Sequence, residues 1–442
     1  MGLDCLLVSA NTTTIPYPVY PLALGHLAGA LKARGHRPIL FDMLTHGGLE
    51  GLSRVLAQKA VDVTALSLRN VDTVDSSNQE VYVEDYLEVV RVIRDSTRVP
   101  VVLGGPAFSI FPSHFMELLG ADYGIVGAGE RLLPDLLDLL EHGGRPPKKL
   151  MRAEPEDQEW QPISHDRTAA SYYMKCGGML NVQTKRGCPY RCAYCSYPEI
   201  EGRRIRSRNP QEAADEMERL ARDFGARYLF VTDAVFNDQE GRYLELAEEL
   251  VRRELGLSWC AYFRPKGIGR EELELLKRAG LAAMEVGTDA GTDETLEAMN
   301  KPFTFDDVMA FHHLAETVGI PAAHFVIFGG PGETMSSFRQ GLRNMERLGR
   351  DVVFGFLGIR ILPNTPIHAT AVSEGIISQD EDLLYPRYYF SPEVDRVQME
   401  QELKQQWASR MDRIFPVSEL YSRLSYLHNS GYVGPMWDLL SR

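Results

Sequence analysis

The chain has 442 residues, 44% of them hydrophobic and 24% charged, with a formal net charge of −14. That balance excludes a disordered, collagen-like or disulfide-dense chain and predicts two or three domains with real cores. The acidic chain also lacks the basic footprint of bulk nucleic-acid binding, its one dense basic stretch being 203–208 (RRIRSR).

The N-terminal MGLDCLLVSA carries Asp4 and no basic segment, unlike a signal peptide. Leu6 breaks the myristoylation pattern, and no apolar run reaches the about 18 residues of a membrane helix. A cytoplasmic location is expected, with the six cysteines reduced rather than paired. Residues 1–147 alternate short apolar runs with helical patterns. Strands are predicted over 4–10, 37–42, 61–68, 99–103 and 122–126, with helices such as 21–34 and 83–95 between them. Near-continuous apolar strands alternating with helices indicate an α/β domain with a doubly wound parallel sheet. Ligands of such sheets sit at the carboxyl ends of the strands. Those ends are small, polar and Gly-rich: Ser9 to Thr12, Asp42 to Leu44, Ser67-Leu68-Arg69-Asn70, Gly104-Gly105-Pro106 and Gly127-Ala128-Gly129-Glu130. No G-x-G-x-x-G follows the first strand, which argues against NAD or FAD.

Residues 148–177 are polar, Pro-containing and aperiodic, and read as a surface linker. The alternation resumes over 178–375. Strands are predicted at 180–184, 228–232, 258–263, 283–287, 322–328 and 353–361, with helices between. Six βα units are two short of a full barrel and leave it open at the side. Residues 376–442 read as a C-terminal helical cap, with helices over 400–413 and 417–429.

The most specific signal is the run Cys188-Pro189-Tyr190-Arg191-Cys192-Ala193-Tyr194-Cys195, a C-x₃-C-x₂-C pattern just after the first strand of the second domain. Three thiolates on one loop can hold three irons of a [4Fe–4S] cluster and leave the fourth open to chelate a ligand. A structural zinc knuckle would want a fourth protein ligand nearby, and the loop offers none. These residues resemble the radical S-adenosylmethionine (SAM) superfamily, which places this motif after the first strand of a partial (βα)₆ barrel. Gly104-Gly105-Pro106 and Gly127-x-Gly129-Glu130 resemble its cobalamin (B12)-binding branch, whose first domain is Rossmann-like, and within it the B12-binding radical SAM proteins associated with lipid biosynthesis. The stretches 231–237, 285–289 and 328–334 strengthen the likeness.

The resemblance implies roles for individual residues. Cys188, Cys192 and Cys195 would ligate the cluster. Tyr194 would pack on the adenine of SAM and Glu285 would hold its ribose hydroxyls. Asp233 would meet the ammonium, Arg264 or Arg360 the carboxylate, with Thr288, Gly329 and Gly330 lining the same site. An interior salt bridge or a tight turn explains several of these equally well. Cobalamin would contact Asp42, Ser67, Leu68, Arg69, Asn70, Gly104, Gly105, Pro106, Gly127, Gly129 and Glu130. The histidine that ligates cobalt in part of the family belongs to D-x-H-x-x-G, whereas here His46 comes two places late, after Asp42-Met43-Leu44-Thr45. Arg69 would then face the lower side of cobalt, unless it pairs with Asp72 or Asp75.

The expected enzyme is a cobalamin-dependent radical SAM C-methyltransferase acting at an unactivated carbon. Its reduced cluster would cleave SAM to a 5′-deoxyadenosyl radical, and methylcobalamin would supply the methyl group. A cyclase or ring-rearranging enzyme with the same cofactors stays open. An external donor such as flavodoxin or ferredoxin would supply electrons. Tyr385, Tyr388, Tyr389 and Phe390 suggest an apolar or aromatic small-molecule substrate, although such clusters are commonly core.

Overall fold

The computed structural model describes residues 2–154 and 160–440. The N-terminal sheet is parallel, in the order β2-β1-β3-β4-β5-β6. Its strands are β1 (Asp4–Ser9), β2 (Arg37–Asp42), β3 (Val63–Ser67), β4 (Val101–Gly104), β5 (Tyr123–Val126) and β6 (Leu150–Arg152). Successive residues of β1 bury alternately into two cores, Leu6 and Val8 into one, Cys5 and Leu7 into the other. Helices therefore cover both faces, and that is why the strand reads as an unbroken apolar run. Strand β6 corrects the expected boundary at 147: Met151 pairs with Ile125, so the sheet runs on to Arg152.

The rest of the expected linker is also structured where it is described. The helix Arg167–Gly177 starts at Asp166, whose carboxylate accepts from Ala169 N at 2.7 Å. Its Ala169, Ala170 and Tyr173 pack into the second domain. Positions 155–159 lie outside the described residues.

The second sheet is a partial barrel, parallel in the order β13-β12-β11-β10-β9-β8-β7. Six strands match the prediction: β7 (Leu180–Val182), β8 (Tyr228–Val231), β9 (Ser258–Phe263), β10 (Leu281–Asp289), β11 (Ala322–Phe328) and β12 (Val352–Leu357). Local chemistry sets the helices between them. Asn209 caps the helix Pro210–Phe224 by accepting from Gln211 N and Glu212 N, and Gly225 ends it at φ 74°. The seventh strand is β13 (Arg413–Ile414), paired with Val353 and Phe354 of β12. Residues 376–442 therefore do more than cap the barrel with helices. The helices Ser418–Asn429 and Trp437–Leu440 bring Leu420, Leu424 and Trp437 against Tyr17, Met179, Tyr228 and Phe354. No helix among the described residues is long and apolar enough to cross a membrane.

Two buried ion pairs join the domains. Arg186, just after β7, reaches Glu130 of the first domain at 2.6 Å. Arg360, past β12, reaches Asp72 at 2.7 Å, with side-chain exposures of only 3% and 1%. Ser76 of the same first-domain loop donates to Leu357 O. These contacts set the carboxyl ends of both sheets toward one shared space.

Candidate cofactor and active site

The cysteine loop is shaped by backbone bonds. Cys188 N donates to Gly202 O at 3.1 Å, Ala193 N to Met299 O at 2.9 Å, and Ala193 O accepts from Ile367 N at 2.9 Å. Gly187 enters the loop at φ 90°, and a Cβ there would lie 2.0 Å from Arg204 O, so only glycine fits. Burial raises the Cys188 thiol and pushes Cys195 up to about 12, and the charges of the neighbouring thiols add to both shifts. Burial thus disfavours the thiolate forms, and an iron cluster would supply compensating positive charge. The loop fits the group.

Glu285 lies on the inner face of β10. It is 3% exposed, and its Oε1 has no hydrogen-bond partner. Burial pushes its carboxyl up to about 8, against a lowering contribution from the Tyr17 hydroxyl. A buried carboxylate with a free oxygen suits a diol donor such as a ribose. Arg264 stacks 4.5 Å above the Tyr190 ring, and its buried Nε is likewise unpartnered. Both residues fit SAM.

Glu285 also carries a pH signature. Its folded pKa of about 8 stands against about 4.3 unfolded, a difference worth on the order of 5 kcal/mol at most. The native state holds the extra proton between those values, so stability falls as pH rises through that window. Glu285→Gln is expected to shrink the drop in melting temperature between pH 5 and pH 8.5 relative to wild type. An unchanged drop excludes Glu285 as its source.

Other expected SAM contacts are engaged elsewhere. Asp233 is fully buried and accepts from Thr184 N at 2.7 Å, from Lys185 N at 3.1 Å and from the Thr184 hydroxyl. It holds the strand that leads into the cysteine loop, with both of its oxygens engaged there. Arg360 is the interdomain clamp, its remaining nitrogens donating to Ile361 O and Leu383 O at 2.6 and 2.8 Å. The Thr288 hydroxyl meets His324 Nδ1 at 2.7 Å on the outer face of the barrel, in a chain through Asp351 to His312. Gly329 and Gly330 are buried against Phe390 and Thr295, with Glu333 closing the turn on Gly329 N. Tyr194 is placed as expected within the loop, but its hydroxyl donates to Asp289 at 2.6 Å.

On the first-domain rim, Ser67 and Gly104 are register partners at the ends of β3 and β4. Gly105 sits at φ 94°, and its Cβ would strike Leu68 O at 2.6 Å. Gly104 is different. Its φ is ordinary, and a Cβ there would meet nothing nearer than Ile125 O at 3.7 Å. Neither backbone nor packing demands glycine at 104, so the open space fits a ligand edge such as cobalamin's. Gly104→Val is expected to leave the melting temperature within about 2 °C while weakening cobalamin binding on the order of tenfold, about 1.4 kcal/mol. Equal cobalt retention by the variant would falsify that reading.

Gly127 and Gly129 remain on this rim, half-buried, and Pro106 is exposed beside them. Leu68 is fully buried and offers only backbone, Asn70 is tied to the Tyr86 hydroxyl through its backbone, and Glu130 is taken by Arg186. One oxygen of Asp42 accepts from Thr45 and Tyr173. His46 turns its Nδ1 back onto Asp42 and Thr45, and its Nε2 lies 3.9 Å from Asp166.

The Arg69 side chain makes no hydrogen bond or ion pair among the described residues; Asp72 pairs with Arg360 instead. Arg69 is half-buried just past the end of β3, and its charge opposes the rise that burial imposes on the phenols of Tyr197 and Tyr262. Tyr197 and Tyr262 are 42% and 39% exposed. They lie deep between the domains, and burial pushes Tyr197 up to about 12 and Tyr262 higher, with Glu285 adding to the rise at Tyr262. Sequence reasoning missed this aromatic wall. Phe325 stacks on Phe354 at 4.9 Å and 11°, with Phe356 next to it at 6.5 Å and 20°. Phe230 packs on Tyr262 at 4.9 Å. The signal was available: these residues fall at alternate positions along their strands.

The chain matches the family model of the radical SAM superfamily over residues 182–344 and that of the B12 binding domain over residues 8–137. It is 27% identical to the tryptophan 2-C-methyltransferase of Streptomyces laurentii over 435 residues, covering 80% of this chain and 72% of that one. It superposes on the radical SAM methyltransferase TsrM of Kitasatospora setae with cobalamin and a [4Fe–4S] cluster bound. There the TM-score is 0.87 at 25% identity, over 100% of this chain and 98% of that chain. A second structure of that enzyme, with tryptophan substrate and a SAM analogue, gives 0.86 at 24% identity over 99% and 97%. With a B12-type sheet facing a cysteine-bearing partial barrel, the chain combines radical SAM and B12-binding domains and is similar over its length to cobalamin-dependent radical SAM methyltransferases.

Proposed function

We propose that the protein C-methylates a planar aromatic acceptor of the indole type, held between the B12-type rim and the aromatic inner wall of the barrel. The observation that carries this is the row of aromatic rings on the inner face of the barrel, Phe230 on Tyr262 and Phe325 on Phe354 and Phe356, beside the buried and unpartnered Glu285. When bound, the cluster anchors SAM and handles electrons, and cobalamin carries the methyl group. The chain's own residues bind and orient. Cys188, Cys192 and Cys195 hold the iron. Glu285 takes the ribose hydroxyls and Arg264 the carboxylate of SAM. Arg69 would present a cation to bound cobalamin, and Tyr197, Tyr262, Phe325 and Phe356 would line the site of a flat ring. The tryptophan of the relatives named above supports this acceptor class. Electrons come from a small acidic protein such as flavodoxin or ferredoxin, in a reducing cytoplasm that keeps the thiols free.

The test is anaerobic reconstitution, an iron and cobalt count, and incubation with methyl-labelled SAM and a series of acceptors including L-tryptophan. Label is expected in an aromatic acceptor, with S-adenosylhomocysteine formed in step. An electron-rich ring carbon needs no hydrogen abstraction, so absence of 5′-deoxyadenosine marks that route, and its equal formation marks an unactivated carbon. Turnover without stoichiometric S-adenosylhomocysteine points to cyclisation or rearrangement and overturns the proposal.

A further inference from the structure

We propose that Lys301 tunes the reduction potential of the iron–sulfur cluster by donating a charged hydrogen bond to the sulfur of Cys192. The inference rests on the reading that Cys188, Cys192 and Cys195 hold that cluster. Lys301 follows the helix Asp293–Ala298 and the left-handed Asn300 (φ 56°), and its backbone N donates to Leu296 O at 2.9 Å. This turn aims the side chain inward, where it is 5% exposed. Its Nζ lies 3.1 Å from Cys192 Sγ and 3.0 Å from the Tyr194 hydroxyl oxygen. It is ion-paired with Asp289, whose other oxygen accepts from Tyr194 at 2.6 Å.

An ammonium has three N–H donors, and here each has an acceptor: a carboxylate, a phenol and a sulfur. Burying a lysine is costly unless it is paired, and Asp289 meets that need alone. The sulfur contact is therefore additional to what stability requires. The loop treats its sulfurs unequally. Backbone N–H groups of Tyr190 and Tyr197 serve Cys188 and Cys195, and among the described residues only Cys192 receives a side-chain cation. Hydrogen bonds and positive charge at cluster sulfurs favour the reduced form, which holds one more electron. Lys301 thus makes the cluster easier to reduce.

The test compares wild type, Lys301→Met and the double variant Lys301→Met with Asp289→Asn, all reconstituted. The double variant removes both charges and leaves no lone buried carboxylate. Iron per chain, the cluster's midpoint potential by mediated titration with electron paramagnetic resonance, and the KM for SAM are measured. About four irons per chain are expected throughout, with the midpoint shifted to more negative potential in both variants and KM for SAM unchanged. Full iron with an unshifted potential overturns the proposal. So does a raised KM at unshifted potential, which would make Lys301 a SAM ligand. So does iron loss in both variants, which would make it a requirement for holding the cluster. Wild type that binds no iron sinks the underlying reading instead.

Discussion

Asp72→Ala is expected to cost about 3–5 kcal/mol of stability, the loss typical of removing one member of a buried ion pair. Arg360 would keep its charge and its bonds to Ile361 O and Leu383 O, but lose the carboxylate at 2.7 Å in a setting closed to water. The same carboxylate accepts from Val74 N at 2.8 Å, so the first-domain loop loosens as well. Cobalamin affinity should fall with it, because this loop leaves β3 directly after Arg69. The paired change Asp72→Leu with Arg360→Met should recover most of the loss, since apolar replacement of a whole buried pair is commonly neutral. The measurement is the first denaturant transition followed by tryptophan fluorescence. A loss below about 1 kcal/mol for Asp72→Ala would show that the clamp does not hold the domains.

Arg360 shows where sequence reading stops. Strands such as β1 and β12 are legible because burial on both faces demands near-continuous apolar runs. The cysteine loop is legible because metal chemistry fixes its spacing. A charged residue at a strand end is visible too, but its partner is not. Asp72, Glu130 and Thr184 lie 288, 56 and 49 positions from the residues they engage, and no local pattern announces such pairs. Arg360, Glu130 and Asp233 were thus read toward ligands while the fold uses them to join elements. Strands β6 and β13 escaped for another reason. At three and two residues they are too short to show a period, and only pairing with a neighbour defines them.

Cys195→Ala should abolish methyl transfer and drop bound iron from about four per chain to below about one. The fold should persist. Backbone bonds to Met299 O, Ile367 N and Gly202 O hold the loop, and truncating one half-buried thiol costs about 1 kcal/mol. Anaerobic iron analysis beside circular dichroism separates the two effects. Retained iron would mean that Cys195 is a packing residue and that the iron is held by other residues. A collapsed spectrum would mean that the fold depends on the thiol itself.

Strand β13 imposes an order of events on synthesis. Arg413 pairs with Val353, 60 positions before it in the chain, and Leu420 and Leu424 then cover Tyr17 from the first domain. The barrel edge therefore stays raw until residue 413 has left the ribosome, long after the cysteine loop has emerged. During that interval the nascent protein exposes an unpaired β12 edge, the kind of surface that recruits chaperones or sticks to other chains. Translation stalled between residues 357 and 413 should accordingly leave a chain prone to aggregation.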